Sequence, residues 1–208
     1  MYRVLLVDDH AVVRKGMKAI LEDELSAVSV AEAGSGDEAL AALAEPFDVV
    51  VLDLSMPGRS GIDLLAEIKT RHPKLPVLIV SLHGEEQFAM RALRAGAAGY
   101  LTKAAAPDQL VAAVVKVARG GRYVTESLAE RLAAKVAGGA VGAPHERLSD
   151  REFDVLRGIA SGSTVSEIAQ QMHLSVKTVS TYRGRLLEKM GMSTNAELTR
   201  YAIEQGLV

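Results

Sequence analysis

Tyr2-Arg3-Val4-Leu5-Leu6-Val7-Asp8-Asp9 runs a short, mostly apolar segment straight into two carboxylates. Val49-Val50-Val51-Leu52-Asp53 repeats the pattern. A β-branched apolar run that ends on turn-forming acid reads as a buried strand. Working outward, runs of the same kind stand at 28–31, 77–80 and 99–101. Between them, apolar residues recur at helical spacing near 11–22, 37–44, 62–71, 85–95 and 108–119. Five βα units in series predict an α/β domain, a doubly wound five-stranded parallel sheet with helices on both faces.

The pattern changes after Gly120-Gly121. A helical stretch at 127–137 leads into the glycine-rich segment 138–144, the most linker-like in the chain. From Leu148 onward the period is helical only. Ser149…Glu152, Thr164…Glu167 and Thr194…Glu197 each form a capping box, and Ser175 can cap a helix running to about Met190. The expected organisation is an α/β domain over 1–121, a linker helix and glycine-rich linker over 122–147, and an all-α four-helix domain over 148–208.

Composition bounds the function. The chain has 208 residues, 49% apolar and 24% charged, which argues against wholesale disorder. Without cysteine there is no disulfide, thiolate zinc site or cysteine nucleophile. Acid follows Met1 too soon for a signal peptide, and no apolar run nears the ~18–20 residues that span a bilayer. A cytoplasmic protein without a membrane partner is expected. With no Trp and three Phe, a large aromatic-lined pocket is not expected. As a whole-chain average the net charge of −2 opposes a nucleic-acid partner, but a local count matters more. From Pro144 onward eight basic residues meet eight acidic ones; within 171–191, Lys177, Arg183, Arg185 and Lys189 face only Glu188.

In open α/β sheets, sites form beyond the carboxyl ends of the strands. There the sequence puts Asp8 and Asp9, then Asp53, Ser81 and Lys103. Taken singly, such an Asp is a turn former and such a Lys a solvated charge. Together they are a site. Clustered carboxylates repel unless neutralised, and a hard divalent cation does this. An ammonium and a hydroxyl can then hold phosphoryl oxygens, while one carboxylate attacks phosphorus.

The helical region carries a second pattern. Glu167-Ile168-Ala169, then Met172-His173-Leu174-Ser175, reads as a helix, a tight turn and a second helix. In that second helix Val179, Leu186, Leu187 and Met190 form an apolar stripe. Lys177, Ser180, Thr181, Gly184 and Glu188 form an opposite face of mostly small polar residues, suited to close approach to another surface.

Two resemblances sharpen these readings. Leu5-Leu6-Val7-Asp8-Asp9-His10, Val50-Val51-Leu52-Asp53-Leu54-Ser55-Met56-Pro57-Gly58, Val80-Ser81 and Gly99-Tyr100-Leu101-Thr102-Lys103 resemble the flavodoxin-like receiver domain of two-component response regulators. The resemblance implies that Asp53 is the phosphoacceptor and that Asp8, Asp9, Asp53 and the backbone carbonyl of Ser55 hold Mg²⁺. It implies that Ser81 is the switch hydroxyl, Tyr100 the switch aromatic and Lys103 the phosphate-binding lysine. Ser55 and His83 would flank the phosphoryl group and tune its loss to water. One departure stands out. Receivers usually follow the lysine with proline, whereas Ala104 stands here, and a cis peptide, easy before proline, costs more.

Leu148-Ser149-Asp150-Arg151-Glu152-Phe153-Asp154-Val155-Leu156, Glu167-Ile168-Ala169 and Val176-Lys177-Thr178-Val179-Ser180-Thr181-Tyr182-Arg183 resemble the DNA-binding domain of the LuxR/FixJ/NarL group. That implies a recognition helix over 175–190. Ser180, Thr181 and Gly184 would face base edges with Tyr182 and Arg185 alongside; Lys177, Thr178 and Arg183 would meet phosphate. The last helix, about 194–205, resembles the group's dimerisation helix. The implied protein is a transcription factor rather than an enzyme, though it takes a phosphoryl group and promotes its own dephosphorylation. Its implied partners are a sensor histidine kinase, double-stranded DNA, a second copy when phosphorylated, and RNA polymerase. The rival readings are a phosphatase with an aspartyl intermediate, a ligand-sensing regulator, and a phosphorylated protein-binding module.

Overall fold

The computed structural model describes the chain except residues 55, 57–60, 83–84, 127, 131–132, 134–142 and 173, and the side chains of 85–87, 146–147 and 150. It forms two compact units, Met1–Gly139 and Ala140–Val208. The helix expected at 127–137 and the linker at 138–144 lie largely outside the described residues.

In the first unit β1 (Tyr2–Val7), α1 (Ala11–Glu24), β2 (Val28–Ala33), α2 (Gly36–Ala42), β3 (Val49–Leu52), α3 (Gly61–Arg71), β4 (Val77–Ser81), α4 (Glu85–Arg94), β5 (Gly99–Thr102) and α5 (Ala106–Ala118) alternate. The strands are parallel in the order β2-β1-β3-β4-β5. The order reverses between β1 and β3, which opens a crevice at their carboxyl ends. Side chains alternate between faces along each strand. Leu5, Val7, Val50, Leu52, Val77 and Ile79 pack with α3 and α4. Val4, Leu6, Val49, Val51, Leu78 and Val80 pack with α1 and α5. Burying each such side chain contributes about 1.5–3 kcal/mol, so the strand ends are held on a stiff platform.

Two close approaches shape that platform. A Cβ on Gly61 would stand 2.4 Å from Leu54 Cα, so only glycine lets α3 start so near the residue after Asp53. Beside β5, Tyr100 N–H donates to Tyr123 O at 3.0 Å and Tyr123 N–H to Ala98 O at 3.0 Å. This bridge covers the outer edge of the sheet, in a stretch that the sequence reading left as connector.

The second unit opens with a 3₁₀ turn, Pro144–Arg147, followed by α6 (Asp150–Ala160), α7 (Val165–Gln171), α8 (Val176–Met190) and α9 (Asn195–Glu204). All three expected capping boxes are present, and Ser175 accepts from Thr178 N–H. Gly191 ends α8 at φ 64°, the left-handed conformation that glycine adopts without strain. Phe153, Leu156, Ile168, Val179, Leu186 and Leu198 form the interior. Among the described residues no helix is long and apolar enough to cross a membrane.

Candidate functional site

The register sets Val7 beside Leu52 and Ser81 beside Thr102. Asp8 and Asp53 therefore leave adjacent strands at one level, and Lys103 follows from β5. Asp53 N–H donates to Val7 O at 2.9 Å and Lys103 N–H to Ser81 O at 2.8 Å, so the ladder holds these residues too. Asp8 and Asp53 are buried. Lys103 Nζ lies 2.7 Å from Asp53 Oδ2 and 2.7 Å from Asp8 Oδ2. The contact with Asp53 is a hydrogen bond; that with Asp8 is ionic, out of hydrogen-bond alignment. Burial alone would depress the Lys103 ammonium, but its contacts with Asp53 and Asp8 and their charges outweigh that and hold it above its ordinary value. Ser81 and Tyr100 are buried. Ser55 and His83 lie outside the described residues.

One ammonium does not neutralise three carboxylates. Asp8 Oδ2 and Asp9 Oδ1 are buried atoms without a hydrogen-bond partner. Single ligand atoms of Asp8, Asp9, His10 and Asp53 all lie within 4.8 Å of one another. Hard oxygens gathered this closely, with Lys103 and His10 set against them, fit a hard divalent cation. Among the described residues no peptide bond is cis, the Lys103–Ala104 bond included.

On α8, Val179, Leu186 and Met190 are buried and Leu187 is half-buried. Lys177, Ser180, Thr181, Gly184 and Arg185 are exposed, while Thr178, Tyr182 and Arg183 are half-buried. Several of these groups have other engagements. Arg183 Nε donates to Asn195 Oδ1 at 2.6 Å, Thr181 Oγ1 to Lys177 O at 3.0 Å, and Thr178 shares its hydroxyl with Ser175 at 2.8 Å. Lys189 Nζ bonds Glu152 Oε2 at 2.7 Å.

A family model for the response regulator receiver domain matches residues 4–115, and one for bacterial regulatory proteins of the luxR family matches 146–202. The chain belongs to the LuxR-type response regulators. Response regulator UvrY of Escherichia coli K12 is 37% identical over 209 residues, covering 100% of this chain and 96% of UvrY. Response regulator GacA of Pseudomonas protegens is 39% identical over 210 residues, covering 100% and 98%. RcsB from Salmonella enterica serovar Typhimurium, solved bound to promoter rprA in the presence of phosphomimetic BeF₃⁻, is similar with a TM-score of 0.69 and 28% identity. That match covers 96% of this chain and 97% of RcsB. The chain is thus a response regulator with a receiver domain and a LuxR-type DNA-binding domain, a transcription regulator.

Some neighbours of the receiver site escaped the sequence reading. Arg14 on α1 donates from Nη1 to the Asp8 carbonyl and from Nε to Glu32 Oε2 at 3.0 Å, tying the ends of β1 and β2 together. Its spacing from Asp8 marks nothing, because the partner is a backbone oxygen. The receiver domain also carries an open groove of about 820 Å³ at the opposite ends of the strands, lined by Leu43, Pro46, Phe47, Leu75 and Pro76 among others. Among the described residues Phe47 is its one Phe, Tyr or Trp, and proline and leucine supply most of the apolar lining, so the shortage of aromatic residues said nothing about this groove.

Proposed function

We propose that Asp53 is the phosphoacceptor of a regulator that a sensor histidine kinase switches. The observation that carries this is the buried Lys103 ammonium bridging Asp8 and Asp53 at the crevice end of the sheet. An Asp53 oxygen attacks phosphorus, the bond from phosphorus to the donor nitrogen breaks, and its electron pair leaves with the imidazole. Lys103 holds a developing phosphoryl oxygen, and Ser81 donates a hydrogen bond to another. Asp8, Asp9, Asp53 and the Ser55 carbonyl would hold Mg²⁺, which neutralises phosphoryl charge when bound. Water later cleaves the acyl phosphate, with Ser55 and His83 setting access. Burial of Tyr100 directly beside β4 supports a packing switch coupled to Ser81.

For DNA, Ser180, Thr181 and Gly184 face base edges, with Tyr182 and Arg185 beside them. Lys177, Thr178 and Arg183 meet phosphate. Domain limits at 1–121, 122–147 and 148–208, a phosphorylation-dependent homodimer, contact with RNA polymerase and a cytoplasmic location complete the reading. RcsB on promoter DNA and the two RcsB dimers bound to parallel DNAs support the dimeric, DNA-bound form. A small phosphodonor with Mg²⁺ should add one phosphoryl mass to the protein and none to Asp53→Ala. Full modification of that variant overturns the assignment.

A further inference from the structure

His10 occupies the N-cap position of α1, where a Ser, Thr, Asp or Asn side chain usually satisfies a helix N–H. Its ring makes no such bond. Instead Nδ1 lies 2.9 Å from Asp9 Oδ1 and 3.3 Å from Asp8 Oδ1, with the ring half exposed. The His10 backbone N–H donates to Asp8 Oδ1 at 2.8 Å, which anchors the residue to the fully buried carboxylate. Lys103 sits at Asp8 Oδ2 and Asp53 Oδ2, so the ammonium and the imidazole take different oxygens of Asp8.

The spacing of the ligand atoms suits an ion. Opposite ligands of an octahedral ion stand roughly 4.2 Å apart, twice the metal–ligand distance. The candidate atoms, His10 Nδ1 included, span no more than 4.8 Å, so shifts of a few tenths of an ångström would close the shell. Two buried oxygens there, Asp8 Oδ2 and Asp9 Oδ1, have ionic contacts to Lys103 and His10 but no aligned hydrogen bond. Imidazole nitrogen is a good ligand for borderline divalent ions and a poor one for Mg²⁺.

We propose that His10 Nδ1 is a protein ligand in the receiver's cation site and makes that site select imidazole-accepting divalent ions, such as Co²⁺ or Zn²⁺, over Mg²⁺. This rests on the reading of the acidic cluster as a cation site. Ligation would require the neutral imidazole with its proton on Nε2 and the Nδ1 lone pair toward the ion. Borderline ions thereby gain a ligand that Mg²⁺ does not use.

The test titrates the full-length protein with Co²⁺, followed by its visible absorption, and then displaces the ion with Mg²⁺. Wild type should show a nitrogen-ligated Co²⁺ band that Mg²⁺ displaces and that Asp53→Ala removes. In His10→Ala the ratio of Co²⁺ to Mg²⁺ affinity should fall at least about tenfold, the scale on which even outer partners of a metal alter its binding. An unchanged ratio and band in His10→Ala overturns the proposal and leaves the cation site standing. Equal tightening of both ions in that variant also overturns it, making His10 a charge partner of Asp9. If wild type binds neither ion, the cation reading itself fails. His10→Asn, which keeps the polar bulk, should match His10→Ala; full retention of selectivity in it would remove the imidazole from the site.

Discussion

Lys103 is the sole cation that the structure sets directly against both Asp8 and Asp53 among the described residues. Replacing it with Met leaves the pocket one unit more negative. Mg²⁺ should then bind several-fold more tightly, by calorimetric titration, while phosphoryl uptake slows for want of the ammonium. Glu152 makes a comparable pair of contacts in the DNA-binding domain. It caps α6 and holds Lys189 of α8. Burial pushes its carboxyl up, yet Lys189 and the Ser149 bonds bring it below its ordinary value. A depressed folded pKa means stability that is present above the unfolded pKa of about 4.3 and lost as pH falls through the folded value. Glu152→Gln should therefore cost about 1–2 kcal/mol at neutral pH, with the gap closing below roughly pH 4. Hydrogen exchange of the Asp150–Ala160 amides in the full chain would show it. These residues also mark what was illegible. A count of charges took Lys189 and Arg183 as surface, whereas Glu152 and Asn195 engage them across the fold. Asp8, Asp9, Asp53, Ser81 and Lys103 were legible because strand ends converge whatever the side chains do.

The elements were the most legible level, since caps and periodicity are local. Ser149, Thr164, Ser175 and Thr194 each start their helix where the sequence places it. Strand ends ran one or two residues longer for β2, β4 and β5, because neighbouring strands extend the ladder regardless of residue type. The Tyr123 bridge depends on Gly99, whose added Cβ would stand 2.7 Å from the Tyr123 oxygen, a tertiary fact with no local signal. Helix α8 gives the tests that belong here. Lys177→Ala should weaken binding to all DNA sequences alike and lower the salt slope by about 1, by titration at several salt concentrations. A Cβ on Gly184 meets nothing within 4 Å, so Gly184→Ala should stabilise α8 by about 0.5–1 kcal/mol. Weaker DNA binding by that more stable variant would assign the glycine to close approach rather than to folding.

The charge of the whole molecule divides unevenly in effect. Its DNA-binding half carries as many acidic as basic groups, and two of the four basic side chains counted in 171–191 are engaged by Glu152 and Asn195. Lys177 and Arg185 remain exposed on α8, and Arg183, held at Nε by Asn195, has only its other guanidinium nitrogens for phosphate. Few phosphate contacts mean low non-specific affinity and a shallow salt dependence for one domain. Specific occupancy then depends on presenting two reading heads together, where the second contact becomes intramolecular. Phosphorylation at Asp53 should therefore act chiefly by pairing chains. Affinity for DNA with two half-sites over DNA with one should rise by about 10²–10⁴ on phosphorylation, while single-half-site affinity stays nearly constant. Asp53→Ala should hold the ratio at its unphosphorylated value whatever the donor. Parallel gains on both DNAs would instead show that phosphorylation releases a masked α8, and pairing would lose its role as the switch.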